Sequence, residues 1–195
     1  MKLVILDRDG TINADSDDFV KTADEWLPLP GSLEAIAKLN HAGWHVVVVS
    51  NQSGLGRGLF DVASLNAMHA KMHKLLAAHG GRIDAVFYCP HSPDEACNCR
   101  KPLPGLFEQV GERYGVDLKD VPCVGDSLRD VQAGAAVGCE PHLVLSGRAA
   151  HLDEAQLQHM LAAVPHSQVH RDLAGFVDHL LRRDHVVDSM AGGLL

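Results

Sequence analysis

The sequence predicts an α/β domain built on a doubly wound, Rossmann-like parallel sheet. Three observations carry this: short apolar runs rich in β-branched residues, helical patterns in the gaps between them, and polar clusters directly after the runs. The runs cover residues 3–6, 45–49, 83–88, 122–124 and 142–145, with a shorter extended piece at 167–170. Each is apolar on both faces, as a strand covered by helices on either side must be. Alternation of strand and helix then implies right-handed crossovers and parallel pairing.

The helical patterns fall at 32–42, 62–79, 104–114, 129–137, 153–163 and 172–183. In the first, Ser32 reads as the N-cap, Ala35, Ile36 and Leu39 recur at helical spacing, and Gly43 stops the helix. No internal repeat or low-complexity linker interrupts the series. Residues 1–185 therefore read as a single domain, and 186–195, which lack periodicity, as a frayed tail.

At 195 residues the chain has room for one sizeable core and not for two catalytic domains. Its 17 Lys and Arg against 25 Asp and Glu leave a net charge of −8, which argues against nucleic acid or an anionic membrane as a partner. No apolar run approaches the roughly 20 residues of a membrane-spanning helix, and Met1 to Leu6 lead straight into Asp7 without a cleavage signal. The expected location is the cytoplasm.

In open α/β sheets ligands sit beyond the carboxyl ends of the strands. Four polar clusters fall there: Asp7-Arg8-Asp9-Gly10-Thr11, Ser50-Asn51-Gln52, Arg100-Lys101-Pro102 and Gly125-Asp126-Ser127. Asp7 and Asp9, at i and i+2, project the same way, with Arg8 expected to point away. One carboxylate can attack an electrophile while the other handles protons. A bare D-x-D is equally compatible with an ordinary polar turn, so the other clusters matter. Asp126, with Asp130 one turn on, adds hard oxygen ligands suited to Mg²⁺. Lys101 and Ser50 supply a cation and a donor for a phosphoryl oxygen. Together these groups describe a phosphoryl-transfer site.

Cys89, His91, Cys97 and Cys99 lie within eleven residues, in a loop too polar to hold its own shape. Three thiolates and one imidazole make the closed tetrahedral shell of structural zinc, which would aim Arg100 and Lys101 just downstream. The rival reading takes Cys97 and Cys99 as reactive or disulfide-forming thiols. Cys123 and Cys139 read as buried thiols. Of thirteen histidines only His91 has an evident partner set; His69, His73 and His79 share one helix and read as surface groups.

D-x-D-G-T at Asp7 to Thr11, Ser50, Lys101 and G-D-S-x-x-D at Gly125 to Asp130 resemble, in order, the motifs of the haloacid dehalogenase superfamily of Asp-nucleophile phosphatases. The resemblance implies that Asp7 forms an aspartyl-phosphate, and that Asp9 is general acid and then base. It further implies that Asp7, the Asp9 carbonyl and Asp126 hold Mg²⁺, with Asp130 in support, and that Ser50 and Lys101 bind the phosphate. The intervals after the first and third strands are too short for a large cap domain, so the site is expected to be open.

L-D-R-D-G-T-I-N at Leu6 to Asn13, S-N-Q-S-G-L-G-R-G at Ser50 to Gly58, and Y-C-P-H followed by C-x-C-R-K-P narrow the resemblance to the D-glycero-D-manno-heptose 1,7-bisphosphate 7-phosphatases. Histidinol-phosphate phosphatases of the same subgroup are next. The implied function is release of the 7-phosphate in the supply of nucleotide-activated heptose for lipopolysaccharide and other cell-surface polysaccharide, by a monomer, on a small sugar bisphosphate. Its second phosphate needs further cations: Arg57 or Arg100, with Arg148 a third candidate, beside Asn51 and Gln52. A second class of function remains, a zinc- and magnesium-binding module without turnover.

Overall fold

The computed structural model describes residues 1–192. Six strands form one parallel sheet in the order β3-β2-β1-β4-β5-β6: β1 Leu3–Leu6, β2 His45–Asn51, β3 Ala85–Cys89, β4 Pro122–Gly125, β5 Glu140–Val144 and β6 Gln168–His170. This is the doubly wound order, with its switch point between β1 and β4, which pair through Ile5 with Cys123 and Leu6 with Val124. The helices are α1 Ser32–His41, α2 Ser53–Gly56, α3 Val62–Ala78, α4 Gly105–Tyr114, α5 Leu128–Ala135, α6 Glu154–Ala163 and α7 Leu173–Gly192.

The apolar strands are covered on both faces, and their alternate residues divide between two cores. Val4, Leu6, Val46 and Val48 join Ile36 and Leu39 of α1, Met68 and Met72 of α3 and Phe176 of α7. Leu3, Ile5, Val47 and Val49 turn the other way, onto Leu106, Phe107 and Val110 of α4. The connections 7–31 and 90–104 reach the carboxyl edge of the sheet without forming a cap domain, and the cleft there is open as expected.

Two local expectations are corrected, and two short elements are added. The cap of α1 is Gly31 in the left-handed region, while Ser32 is the first helical residue and donates its hydroxyl to the Ile12 carbonyl at 2.7 Å. α2 and the 3-10 turn Arg148–His151 were invisible as periodicity because each spans about one turn. α7 runs through most of the stretch read as a tail: no Pro or Gly stands between Val177 and Ala191 to stop it. Residues 193–195 lie outside the described residues. No described helix is long and apolar enough to cross a membrane.

Candidate active site

The carboxyl ends of β1, β2 and β4 and the loop after β3 converge on one cleft of about 230 Å³. Asp7 is placed by the sheet itself, since its N–H donates to Val124 O at 2.8 Å and so continues the β1–β4 ladder past Leu6. Lys101, 2% exposed, points its ammonium at three acceptors: Asp7 Oδ1 at 2.8 Å, Asp130 Oδ1 at 2.7 Å and the Val49 carbonyl at 2.8 Å. Burial opposes the charge on this ammonium, but Asp130 and Asp7 outweigh it and hold its pKa above the ordinary lysine range.

Asp130 enters on the first turn of α5, where the Ser127 N–H and hydroxyl donate to its Oδ2 at 3.0 and 2.8 Å. Against the cost of burial, Lys101 and Ser127 keep Asp130 below the ordinary carboxyl pKa. Asp126 directly follows β4 and accepts the Arg148 N–H at 2.7 Å. Its neighbour Gly10, at φ +81°, has no room for a side chain, because a Cβ there would overlap the Asp126 carboxylate.

Asp7, Asp126 and Asp130 each bring an oxygen within 4.8 Å of the others. Burial first, then the charge of Asp130, raises Asp7 to about 7 and Asp126 to about 9. Lys101 offsets only part of this. The cluster is therefore short of positive charge, and with Asp130 occupied by Lys101 and Ser127, Asp7 and Asp126 carry the deficit. A hard divalent cation fits such a donor set.

Arg8 does not point away. Its fully buried guanidinium turns back on Asp9, with Nε and Nη2 donating to Oδ1 at 3.0 and 2.7 Å. Asn13 Nδ2 donates to the same oxygen at 2.9 Å, and Gln52 Nε2 to Oδ2 at 2.9 Å. Burial disfavours the Asp9 carboxylate, but Arg8, Asn13 and Gln52 prevail and hold its pKa below the ordinary value. Gln52 also donates to Ser50 Oγ at 2.8 Å, which ties the end of β2 to the loop after β1.

Asn51 lines the cleft but commits both ends of its amide to the Lys101 backbone. Arg57, exposed, places its guanidinium 5.6 Å from the centre of the Phe19 ring. Arg100 contributes a buried Nη1 with no hydrogen-bond partner among the described residues. Arg148 pairs with Asp15 at 3.1 Å, and Arg129 lines the same cleft. Sequence reasoning missed Arg129, although it is one of the variable positions inside G-D-S-x-x-D.

In the loop after β3, Cys89 and Cys99 Sγ each lie 3.3 Å from His91 Nδ1, and Cys89 and Cys97 Sγ are 3.9 Å apart. All four ligand atoms fall within 4.8 Å. Tetrahedral zinc at its usual bond lengths would separate two sulfurs by about 3.8 Å and a sulfur from a nitrogen by about 3.5 Å, so the shell has the right size. The five cysteines are free thiols. A Cβ on Gly56 would stand 2.6 Å from Ser92 N, so that glycine lets α2 press against this loop.

Residues 98–175 match a HAD-hydrolase-like family model. A D-glycero-β-D-manno-heptose-1,7-bisphosphate 7-phosphatase of Bordetella bronchiseptica is 63% identical over 147 residues, 75% of this chain and 82% of the relative. The enzyme of that name from Neisseria meningitidis serogroup A is 47% identical over 184 residues, 94% of this chain and 97% of the relative. The chain belongs to the heptose-1,7-bisphosphate 7-phosphatase family. A solved structure of the D,D-heptose 1,7-bisphosphate phosphatase of B. bronchiseptica, complexed with magnesium and phosphate, superposes on it with a TM-score of 0.88 at 55% identity, covering 94% of this chain and 99% of that one. The Burkholderia thailandensis member of the heptose bisphosphatases gives 0.69 at 49% identity, over 93% of this chain and 99% of that one.

Proposed function

We propose that this chain is a Mg²⁺-dependent phosphomonoester hydrolase that releases the C7 phosphate of D-glycero-β-D-manno-heptose 1,7-bisphosphate, leaving the 1-phosphate for nucleotide activation on the way to cell-surface polysaccharide. The observation that carries the reading is Asp7 held at the β1–β4 switch point against Lys101, in a family whose named members act on this substrate.

In this reading an Asp7 carboxylate oxygen attacks phosphorus and the C7 oxygen leaves. Asp9 donates a proton to that oxygen, and then, as carboxylate, takes one from the water that opens the aspartyl-phosphate. Against the cost of burial, Arg8, Asn13 and Gln52 hold the pKa of Asp9 below the ordinary value; a phosphate dianion beside it favours the protonated form that the first step needs. Lys101 and the Ser50 hydroxyl hold phosphoryl oxygens, and Gln52 orients Asp9 and Ser50 together. Asp7, the Asp9 carbonyl and Asp126 would hold Mg²⁺. When bound, the metal shields the phosphoryl charge from the carboxylates and stabilises the charge of the transition state.

Arg57, Arg100 and Arg129 form the cationic wall of the cleft and are assigned to the remote phosphate; they would repel the ammonium of histidinol phosphate. Cys89, His91, Cys97 and Cys99 are assigned a structural zinc that holds the loop leading to Arg100 and Lys101. The free thiols suit the cytoplasm.

The test is phosphate release with Mg²⁺ from both anomers of the bisphosphate and from histidinol phosphate. A preference of about 100-fold for the β anomer over histidinol phosphate, about 2.7 kcal/mol, is expected. The reverse preference would remove the substrate assignment. Asp7→Asn should abolish turnover without unfolding, and retained activity would remove Asp7 from the nucleophile's role.

A further inference from the structure

The sequence predicts a surface position for His69 on α3, yet its Nε2 lies 3.2 Å from Nη1 of the buried Arg8. A guanidinium has only donors, so Nε2 must be the acceptor, and the imidazole is neutral with its proton on Nδ1. The surroundings agree: burial first, then the charges of Arg8 and His73, lower the His69 pKa to about 4. Arg8 thereby has each of its three nitrogens engaged, Nη1 by His69 and the other two by Asp9.

The consequence lies at Asp9. Oδ1 receives three N–H donors, two from Arg8 and one from Asn13, whereas among the described residues Oδ2 receives only Gln52. The two oxygens are therefore inequivalent: Oδ1 is saturated and Oδ2 is the one free to carry and exchange a proton. We propose that His69 is a positioning residue for the proton-transferring aspartate, fixing Arg8 so that Asp9 presents Oδ2 to the leaving oxygen. This rests on the phosphatase reading above. With His69 removed, Nη1 is a buried donor without an acceptor, and the guanidinium must tilt to find one. The tilt would loosen its paired contact with Oδ1.

The test compares two substrates, a sugar phosphate, whose alkoxide leaving group needs a proton, and 4-nitrophenyl phosphate, whose leaving group does not. The parameter kcat/KM is chosen because it reports the steps up to formation of the aspartyl-phosphate. For His69→Leu we expect a loss of about tenfold or more with the sugar phosphate and less than about twofold with 4-nitrophenyl phosphate. His69→Gln, which restores an acceptor, should recover most of the loss, and His73→Ala, at an exposed neighbour, should match wild type. Wild-type kcat/KM for His69→Leu, or an equal loss on both substrates that glutamine does not recover, would overturn the proposal. Should the leucine variant fail to fold, His69→Phe, which likewise offers Arg8 Nη1 no acceptor, carries the same comparison. A wild-type protein that releases phosphate from neither substrate would instead overturn the phosphatase reading itself.

Discussion

Asn51 and Lys101 are joined twice through opposite ends of one amide: the Lys101 N–H donates to Asn51 Oδ1 at 3.0 Å, and Asn51 Nδ2 donates to the Lys101 carbonyl at 3.1 Å. Since Lys101 Nζ also reaches the Val49 carbonyl, the lysine is gripped by the end of β2 at both its backbone and its tip. Asn51→Ala should cost about 1–2 kcal/mol of stability and lower kcat about tenfold. Asn51→Asp keeps one of the two bonds and should fall between. Denaturant unfolding and steady-state kinetics check both, and an Asn51→Ala enzyme with unchanged kcat would show that the grip is not needed.

The carboxylate cluster predicts how metal and pH act on stability. Asp7 and Asp126, raised on folding from 3.8 to about 7 and about 9, stabilise the fold fully only below about pH 4. That contribution is lost as pH rises through their folded values. Asp130 has the opposite sign and matters only in acid, below its unfolded value. Metal-free protein should thus lose melting temperature from this pair between about pH 5.5 and about pH 8.5. Mg²⁺ favours the ionised carboxylates, so its stabilisation should be larger at the higher pH. Calorimetry with EDTA or Mg²⁺ at both pH values tests this; equal Mg²⁺ shifts would contradict it.

The cysteine loop predicts about one zinc per chain by elemental analysis. Cys97→Ser breaks the shell and should lower zinc content and melting temperature together, by about 5–10 °C for a loss of a few kcal/mol. It should also lower kcat, because Arg100 and Lys101 follow directly. Protein purified without zinc at full activity would count against the assignment.

Away from the cleft, His142 is fully buried with Nδ1 3.0 Å from His170 Nε2, and its Nε2, 3.6 Å from Glu140 Oε1, has no hydrogen-bond partner among the described residues. This pair also corrects the reading that only His91 has partners. Burial, then the charge of His170, lowers His142 from 6.5 to about 3, so the unfolded chain takes up the proton first on acidification. Stability is therefore lost as pH falls below about 6.5, by about 2 kcal/mol at pH 5 from this residue. His142→Phe should flatten the decline between about pH 7 and about pH 5. An unchanged pH slope would show that His142 does not titrate with unfolding.

The parallel sheet was legible because its strands are apolar on both faces, and the order of Asp7, Ser50, Lys101 and Asp126 was legible because short motifs sit at strand ends. The orientation of Arg8 was not. Spacing along a strand places Cβ atoms, but a long side chain follows charge, and Arg8 bends back to the nearest buried carboxylate. His69 escaped for a related reason: helical periodicity marks the apolar face, and a histidine at its margin reveals its partner only when another element arrives there. Arg129 lay inside a motif whose constant positions drew the reading. The role of Asn51 depended on a backbone fifty residues away, which no local pattern encodes.

The three contacts of Lys101 have one more consequence. An ammonium has three protons, and Asp7, Asp130 and Val49 take all of them. A phosphoryl oxygen can therefore be received only by exchange, displacing one acceptor as it enters. The partner that yields most naturally is Asp7, whose carboxylate is then released from its tether just as an electrophile comes within reach. In the proposed reaction the nucleophile would stay tethered to Lys101 until the arriving phosphoryl group takes its place.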